Sequence, residues 1–334
     1  MRFRNKKVLV TGGAGFIGSN LTNQLIKEGA SVIVLDDFFT GRKENIDEPK
    51  AIKLVQGSVT DYKLVASLIK KVEIVFHMAV RNIIVSTSSP ILDFQVNAGG
   101  TFNILQACKS YGVERLVYIS SASIYGNPKY LPINEDDRII ALNPYAASKI
   151  AGENYCSAFY ESYEVPVVIL RYSNVYGVNQ SPENPYCGVI SKFFERILSG
   201  KSPHIHGDGE QTRDFTYVSD VVEATLLAAL SQKGEGDVFN VASGKETSIN
   251  NLLGLMIDIT DKSISPAYID KRDIDNIRRR VLNIEKIRRL LRWSPKITLS
   301  KGLELTYDWI CSQNGHPRTR KDVSVNARKK AVTL

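Results

Sequence analysis

Over the first half of the chain, short runs of apolar and β-branched residues alternate with longer segments whose apolar positions recur three and four apart. The runs 8–10, 31–35, 51–56, 74–78, 116–119 and 167–171 have the length and composition of buried strands. Between them, residues 16–27 place Ile17, Leu21 and Leu25 at helical spacing and stop at Gly29. Residues 63–70 give a short helix, and 98–111 repeat the helical pattern at Phe102, Leu105 and Cys108. Asn143-Pro144 predicts another helix start, Asn as N-cap and Pro in the first turn, with the helix reaching about Tyr163 before Pro166. Strands and helices in this alternation imply β-α-β units, hence a doubly wound parallel α/β sheet covered on both faces.

Beyond residue 171 the pattern loosens. Residues 172–184 read as a loop, 186–198 as a helix and 201–215 as a turn-rich stretch around Gly207 and Gly209. An apolar helix at 218–230 and a strand at 238–242 follow, then a helix-rich remainder containing Arg278-Arg279-Arg280. The expected division is discontinuous: 1–175 with 215–242 as one lobe, 176–214 with 243–312 as a smaller one, and 313–334 as a basic tail. At 334 residues, with 43% hydrophobic and 23% charged residues, the chain has the make-up of a soluble globular protein. Most of the formal charge of +8 sits in the tail, where Arg318, Arg320, Lys321, Arg328, Lys329 and Lys330 face only Asp322. Nucleic acid is therefore not the expected partner. The four cysteines form no C-x-x-C pair and the four histidines have no ligand partners at metal spacing, so no metal is expected. No run of 18 apolar residues occurs, and the first strand follows the N-terminus closely, so a cytoplasmic protein without a membrane span is expected.

The chemistry concentrates at the strand ends. Residues 7–20, KVLVTGGAGFIGSN, join the first strand to the first helix through Gly12, Gly15 and Gly18. A turn free of side chains lets backbone N–H groups approach a diphosphate, and the helix adds its positive end. Gly18 also lets the helix lie close to the strand. The second strand delivers Asp36 about 20 residues beyond the glycines, where a carboxylate accepts from ribose hydroxyls and repels a 2′-phosphate. NAD is expected over NADP, with Arg42 and Lys43 as the nearby features that would serve NADP. Tyr145 and Lys149 stand four apart on a predicted helix and share a face. A tyrosine with its solution pKa of about 10 is a poor base. A neighbouring ammonium, the first turn of the helix and an oxidised nicotinamide would each favour its phenolate. Ser120-Ser121-Ala122-Ser123 closes the strand 116–119, at the edge where such sheets bind ligands, so a hydroxyl there can bond the same substrate oxygen.

Together, TGGAGFIG at 11–18, HMAV at 77–80, SSASIYG at 120–126, YAASK at 145–149, RYSNVYG at 171–177 and GDGEQTRDFTYVSD at 207–220 resemble a known set of motifs in their order. The set is that of the extended short-chain dehydrogenase/reductase family, in its NAD-dependent nucleotide-sugar epimerase/dehydratase branch. The resemblance spans about residues 6–312. It implies a Rossmann-type doubly wound sheet with a smaller, discontinuous C-terminal substrate lobe. Cofactor contacts are implied for Gly12, Gly15, Phe16, Ile17, Gly18, Asp36, Asp37, Ser58, Val59 and Asn97, together with Tyr145 and Lys149. Tyr145 would transfer the proton, Lys149 would bind the nicotinamide ribose and lower the tyrosine pKa, and Ser121, with Ser123 as second candidate, would be the hydroxyl partner. Asn174 and Arg213 match positions that hold the sugar nucleotide, Arg213 through the diphosphate, with Arg272 or Arg278 as a second diphosphate contact. A homodimer is implied through the helices 98–111 and 144–163, which have Phe102, Tyr155 and Phe159 to spare.

Departures from the family pattern narrow the expectation. Ser121-Ala122-Ser123 replaces the Thr-Asp-Glu typical of the dehydratases, which removes the acid pair for 4,6-elimination, and the Glu usual in uronate decarboxylases is also absent. Ser181 stands where hexuronate epimerases often carry Arg, which favours a neutral sugar. Ser58 replaces an Asp that usually contacts adenine, with Asp61 as a nearby substitute, and Arg81 after HMAV is unusual. The expected activity is 4-epimerisation of a UDP-hexose or UDP-N-acetylhexosamine through a 4-keto sugar. A UDP-glucuronate epimerase or a net 4-ketosugar oxidoreductase is the alternative among enzymes, and a silent NAD-binding regulator the alternative of another class.

Overall fold

The computed structural model describes residues 1–184, 187–271 and 276–313. In chain order the strands are β1 (Lys7–Thr11), β2 (Ser31–Asp36), β3 (Ile52–Gln56), β4 (Ile74–His77), β5 (Arg115–Ser121), β6 (Val167–Tyr172), β7 (Asn174–Tyr176), β8 (His204–His206), β9 (Thr212–Tyr217), β10 (Val238–Val241), β11 (Glu246–Ser248) and β12 (Ala267–Ile269). The helices are α1 (Phe16–Lys27), α2 (Tyr62–Ile69), α3 (Ile83–Ser88), α4 (Pro90–Asp93), α5 (Gly100–Tyr111), α6 (Pro144–Tyr163), α7 (Val189–Leu198), α8 (Val218–Leu230), α9 (Ile249–Thr260), α10 (Glu285–Leu291) and α11 (Leu299–Gln313). Among the described residues, seven strands form one parallel sheet in the order β10-β6-β5-β4-β1-β2-β3. The order reverses between β1 and β4, so their carboxyl ends open the crevice in which a doubly wound sheet binds its ligands.

Successive side chains of a strand point to opposite faces, and both faces are buried here. Val8 and Val10 join a core with Leu21 and Leu25 of α1 and Val221 and Leu226 of α8. Leu9 faces the other way, into a core with Ile104 and Leu105 of α5 and Phe159 of α6. The doubly wound α/β sheet expected from the alternation, and the Rossmann type implied by the resemblance, are the fold observed. Helix α6 begins as its sequence dictates: Asn143 accepts from the Ala146 N–H at 2.9 Å, Pro144 occupies the first turn, and Glu164 ends it in a left-handed conformation.

Other boundaries differ for local reasons. The helix expected from residue 98 starts at Gly100, because a π-helical turn, Phe94–Gly99, comes first. Two short helices precede it, and Asn82 caps α3 by accepting from the N–H groups of Ile84 and Val85. The helix expected from 186 begins at Val189, and Tyr186 lies outside the described residues. The expected loop 172–184 contains β7, which pairs with β9 in a small sheet, β11-β9-β7, beside the central one. Asp214 of β9 is buried and accepts from Ser243, Gly244 and Leu282 N–H groups, which fixes the segment 280–282 against that sheet. No described helix is long and apolar enough to cross a membrane.

Candidate active site

A cleft of about 430 Å³ runs along the carboxyl ends of the central strands. Its wall includes Gly12, Gly15, Phe16, Ile17, Gly18, Asp36, Asp37, Ser58 and Val59, and also Ser121, Ser123, Tyr145, Lys149 and Asn174. The glycine loop is built for close backbone approach. Gly12 has φ +68°, and a Cβ there would stand 2.9 Å from the Ala79 backbone; one on Gly18 would stand 2.0 Å from the Gly12 carbonyl oxygen. Only glycine satisfies both positions, and the resulting cradle fits a dinucleotide diphosphate. Thr11 aligns the opposite rim, its hydroxyl accepting from the N–H groups of Met78 and Ala79 at 3.1 Å each.

Asp36 ends β2 with its carboxylate accepting from Ala14 N–H at 2.9 Å and Phe38 N–H at 2.8 Å. Burial pushes its pKa up, and these two bonds oppose the shift. A carboxylate so held retains lone pairs for ribose hydroxyls and none of the donors that a 2′-phosphate needs. Titration of cofactor-free protein is expected to show NAD binding much more tightly than NADP; equal affinities would remove Asp36 from this role. Asp37 instead binds Arg81, whose Nη2 lies 2.5 Å from Oδ2 and whose guanidinium stacks 4.2 Å from the Phe39 ring centroid. Asp61 caps α2 through Leu64 N–H, while the Ser58 hydroxyl accepts from Thr60. Asn97 lies beneath the cleft, accepting from Arg81 N–H at 2.7 Å and donating to Arg81 C=O at 3.0 Å.

Helix α6 carries Tyr145 and Lys149 one turn apart on one face, as the spacing requires. The Ser121 hydroxyl lines the cleft with the Tyr145 phenol and favours its phenolate. The same hydroxyl accepts from Ser123 N–H at 3.1 Å, which folds the turn after β5 against the tyrosine. Lys149 is buried and donates to the Ile119 carbonyl at 2.7 Å. Burial pulls its pKa down to about 8 and pushes that of Tyr145 up, while Ser121 works against the latter shift. Burial thus moves the two groups apart in proton affinity, the ammonium made the readier proton donor and the phenol the firmer holder of its proton.

On the substrate side, Asn174 lines the cleft, whereas Arg213 donates to the carbonyl oxygens of Thr212 and Ile277 at 2.8 Å each. Arg278 forms an exposed ion pair with Asp208 at 2.7 Å, and Arg272 lies outside the described residues. The basic residue of this segment that lines the cleft is Arg280, only 4% exposed. A run of three arginines on an irregular segment gives no periodicity from which its facing could be read. Arg81 was visible as an unusual residue, but its partner Asp37 became evident only from the fold. A larger polar groove of about 860 Å³ lies beside α1, between residues 42–47 and 178–183, and lacks the tyrosine–lysine pair. Among the described residues no cluster of three or more His, Cys, Asp or Glu could hold a metal.

The cleft has counterparts in known proteins. A model described as the NAD dependent epimerase/dehydratase family matches residues 8–242. A putative UDP-glucose 4-epimerase of Methanocaldococcus jannaschii is 41% identical over 313 residues, covering 92% of this chain and 99% of the relative. The crystal structure of a UDP-glucose 4-epimerase from Thermotoga maritima with UDP-glucose superposes with a TM-score of 0.89 at 35% identity, covering 92% of this chain and 99% of that one. A Thermus thermophilus UDP-glucose 4-epimerase in complex with NAD gives 0.85 at 37% identity, covering 91% and 98%. With the glycine cradle, Asp36 and the Tyr145–Lys149 pair in one cleft, the cofactor is NAD, and the chain belongs to the NAD-dependent epimerase/dehydratase family.

Proposed function

We propose that the protein is an NAD-dependent 4-epimerase of a UDP-sugar. The observation that carries this reading is the turn after β5, which brings Ser121 and Ser123 to the cleft beside Tyr145 and has no carboxylate at 121–123. Elimination of water from C5 and C6 needs a general acid and base at the sugar, and this turn provides neither. NAD, which the glycine cradle and Asp36 would hold, would supply the hydride chemistry at C4. Tyr145, ionised beside the Lys149 ammonium, takes the 4-hydroxyl proton. Ser121 hydrogen-bonds the same oxygen and orients it toward the phenolate. The 4-keto sugar then turns about its diphosphate linkage and presents its other face, and Tyr145 gives the proton back. Asn174 and Arg213 are assigned to the sugar nucleotide, which must stay anchored while the sugar moves. The lobe formed by 176–214 and 243–312 is assigned to the nucleotide sugar, and 1–175 with 215–242 to NAD.

The test is incubation with UDP-, GDP- and dTDP-sugars and analysis of C4 stereochemistry by NMR. Interconversion of C4 epimers of a UDP-sugar is expected; a 4-keto-6-deoxy product would replace this reading with dehydration. One observation favours a second substrate, a UDP-uronate: the buried Arg280 lines the cleft, and a planar guanidinium suits a carboxylate. UDP-glucuronate therefore belongs in the panel.

The proposed assembly is a homodimer through α5 and α6. Phe102 is 40% and Tyr155 44% exposed, their rings pack edge to face at 5.4 Å, and exposed Tyr163 continues the patch; Phe159, expected to be spare, is instead buried in the core beneath them. Light scattering at micromolar concentration is expected to give twice the chain mass, and Phe102→Glu to give a monomer. A parent protein that is monomeric there contradicts the assembly.

A further inference from the structure

Asp93 is a buried carboxylate that the reaction above does not use. It ends α4, is 2% exposed, and its Oδ1 gathers three donors: Ser86 Oγ at 2.5 Å, Asn97 Nδ2 at 2.5 Å and Ser148 Oγ at 3.1 Å. Ser148 lies next to Lys149 on α6, and its hydroxyl also reaches the Tyr145 carbonyl at 3.0 Å. Donors converging on one oxygen suit an ionised carboxylate, which only accepts. The negative charge acts on both members of the pair, favouring the Lys149 ammonium and opposing the Tyr145 phenolate.

Of the other groups around Lys149, Cys156 and Glu153 also favour its ammonium, but less than Asp93 does. His77 of β4 is held neutral, its pKa pushed down to about 3 by burial between Thr11 and Thr101. Tyr118 of β5 has its ring 5.0 Å from Nζ, and burial pushes its phenol pKa well up. On α6, burial pushes the Cys156 thiol well up, and Glu153 is bound by Arg171 at 2.7 Å. Burial pushes the Asp93 carboxyl up, and the three donors together with the Lys149 charge oppose that rise; among the described residues no arginine is bound to it.

We propose that Asp93 is a positioning residue for the catalytic pair: through Asn97 and Ser148 it fixes the first turns of α6, and its carboxylate is the counter-charge that keeps Lys149 an ammonium beside Tyr145. Burial alone would neutralise a lysine in this place. A neutral amine would leave the phenolate without its support.

Asp93→Asn keeps the size and an acceptor oxygen while removing the charge. NAD content and circular dichroism are expected to match the parent, while the alkaline limb of kcat moves to lower pH by about one unit. Coincident limbs would overturn the proposal. This rate measurement rests on the epimerase reading, so a second measurement is made without substrate. In ¹⁵N-lysine-labelled protein, with Lys149 assigned by Lys149→Met, the Nζ resonance is expected to titrate at lower pH in Asp93→Asn than in the parent. An unchanged titration overturns the role of Asp93 whether or not the protein proves to be an epimerase. Should Asp93→Asn fail to fold, the parent alone decides: Lys149 is expected as an ammonium at pH 7, and a neutral amine there refutes the counter-charge.

Discussion

Tyr145→Phe is expected to lower the epimerisation rate by about 10²–10⁴-fold, the usual worth of a positioned proton-transfer group, while leaving the fold and the NAD content unchanged. The substitution removes one oxygen, which lines an open cleft together with the Ser121 hydroxyl, and that hydroxyl can turn to water. No other side chain at the turn after β5 can replace it, because Ser121 and Ser123 are far weaker acids and bases near neutral pH. Lys149→Met is expected to lower the rate as well, and to move the acid limb of the pH profile upward. The sign follows from the charge: without the ammonium a positive charge that favours the phenolate is lost and Ser121 alone works against burial, so the phenolate forms only at higher pH. Ser121→Ala should cost less, since Ser123 and water can bond the same oxygen. Stopped assays on the purified variants, with bound NAD measured after denaturation, check all three. A Tyr145→Phe enzyme close to the parent rate would mean that another group moves the proton.

The largest effect on stability is expected from Glu153→Ala. Glu153 lies one turn beyond Lys149 on the same face of α6 and takes Arg171 of β6 through both oxygens, with Nε at 3.0 and 3.3 Å and Nη2 at 2.7 Å. Arg171 also donates to Tyr125 Oη at 2.9 Å and to the Glu135 carbonyl at 2.6 Å, and Tyr125 in turn donates to Asn240 of β10 at 2.7 Å. Removing the carboxylate strands a guanidinium inside the protein, at a cost of about 3–5 kcal/mol. Urea unfolding of the Glu153→Ala protein checks this. The double variant Glu153→Leu, Arg171→Met should recover much of the loss, since an apolar pair of similar volume leaves no charge behind. A loss below about 1 kcal/mol in the single variant would show that water reaches the arginine, as at surface pairs.

The parts of this molecule that the sequence announced are those governed by local rules. Strand composition and helical periodicity placed α1, α6 and α8 and the central strands, because buried parallel strands are continuous apolar runs and capped helices carry their own start signals. The glycine loop, Asp36 and the spacing of Tyr145 and Lys149 were legible for the same reason: each is a short motif with its geometry built in. What stayed hidden depends on contacts between distant segments. The π-turn before α5 has no propensity signature, and it is the turn that brings Asn97 to Arg81 and Asp93. Nothing in Pro90-Ile91-Leu92-Asp93 reveals that the acid points inward, and the facing of Arg280 within its arginine run is set by Asp214 holding Leu282.

In the proposed reaction hydride leaves C4 and returns to C4 of one sugar, with Tyr145 carrying the hydroxyl proton. The most direct measurement is NMR of the best UDP-sugar from the panel, incubated with the protein and NAD in deuterated water. Inversion at C4 is expected, with the carbon-bound hydrogen at C4 retained as protium and no deuterium at C5. Solvent deuterium at C4 or C5, or a product that has lost water from C6, would contradict the mechanism.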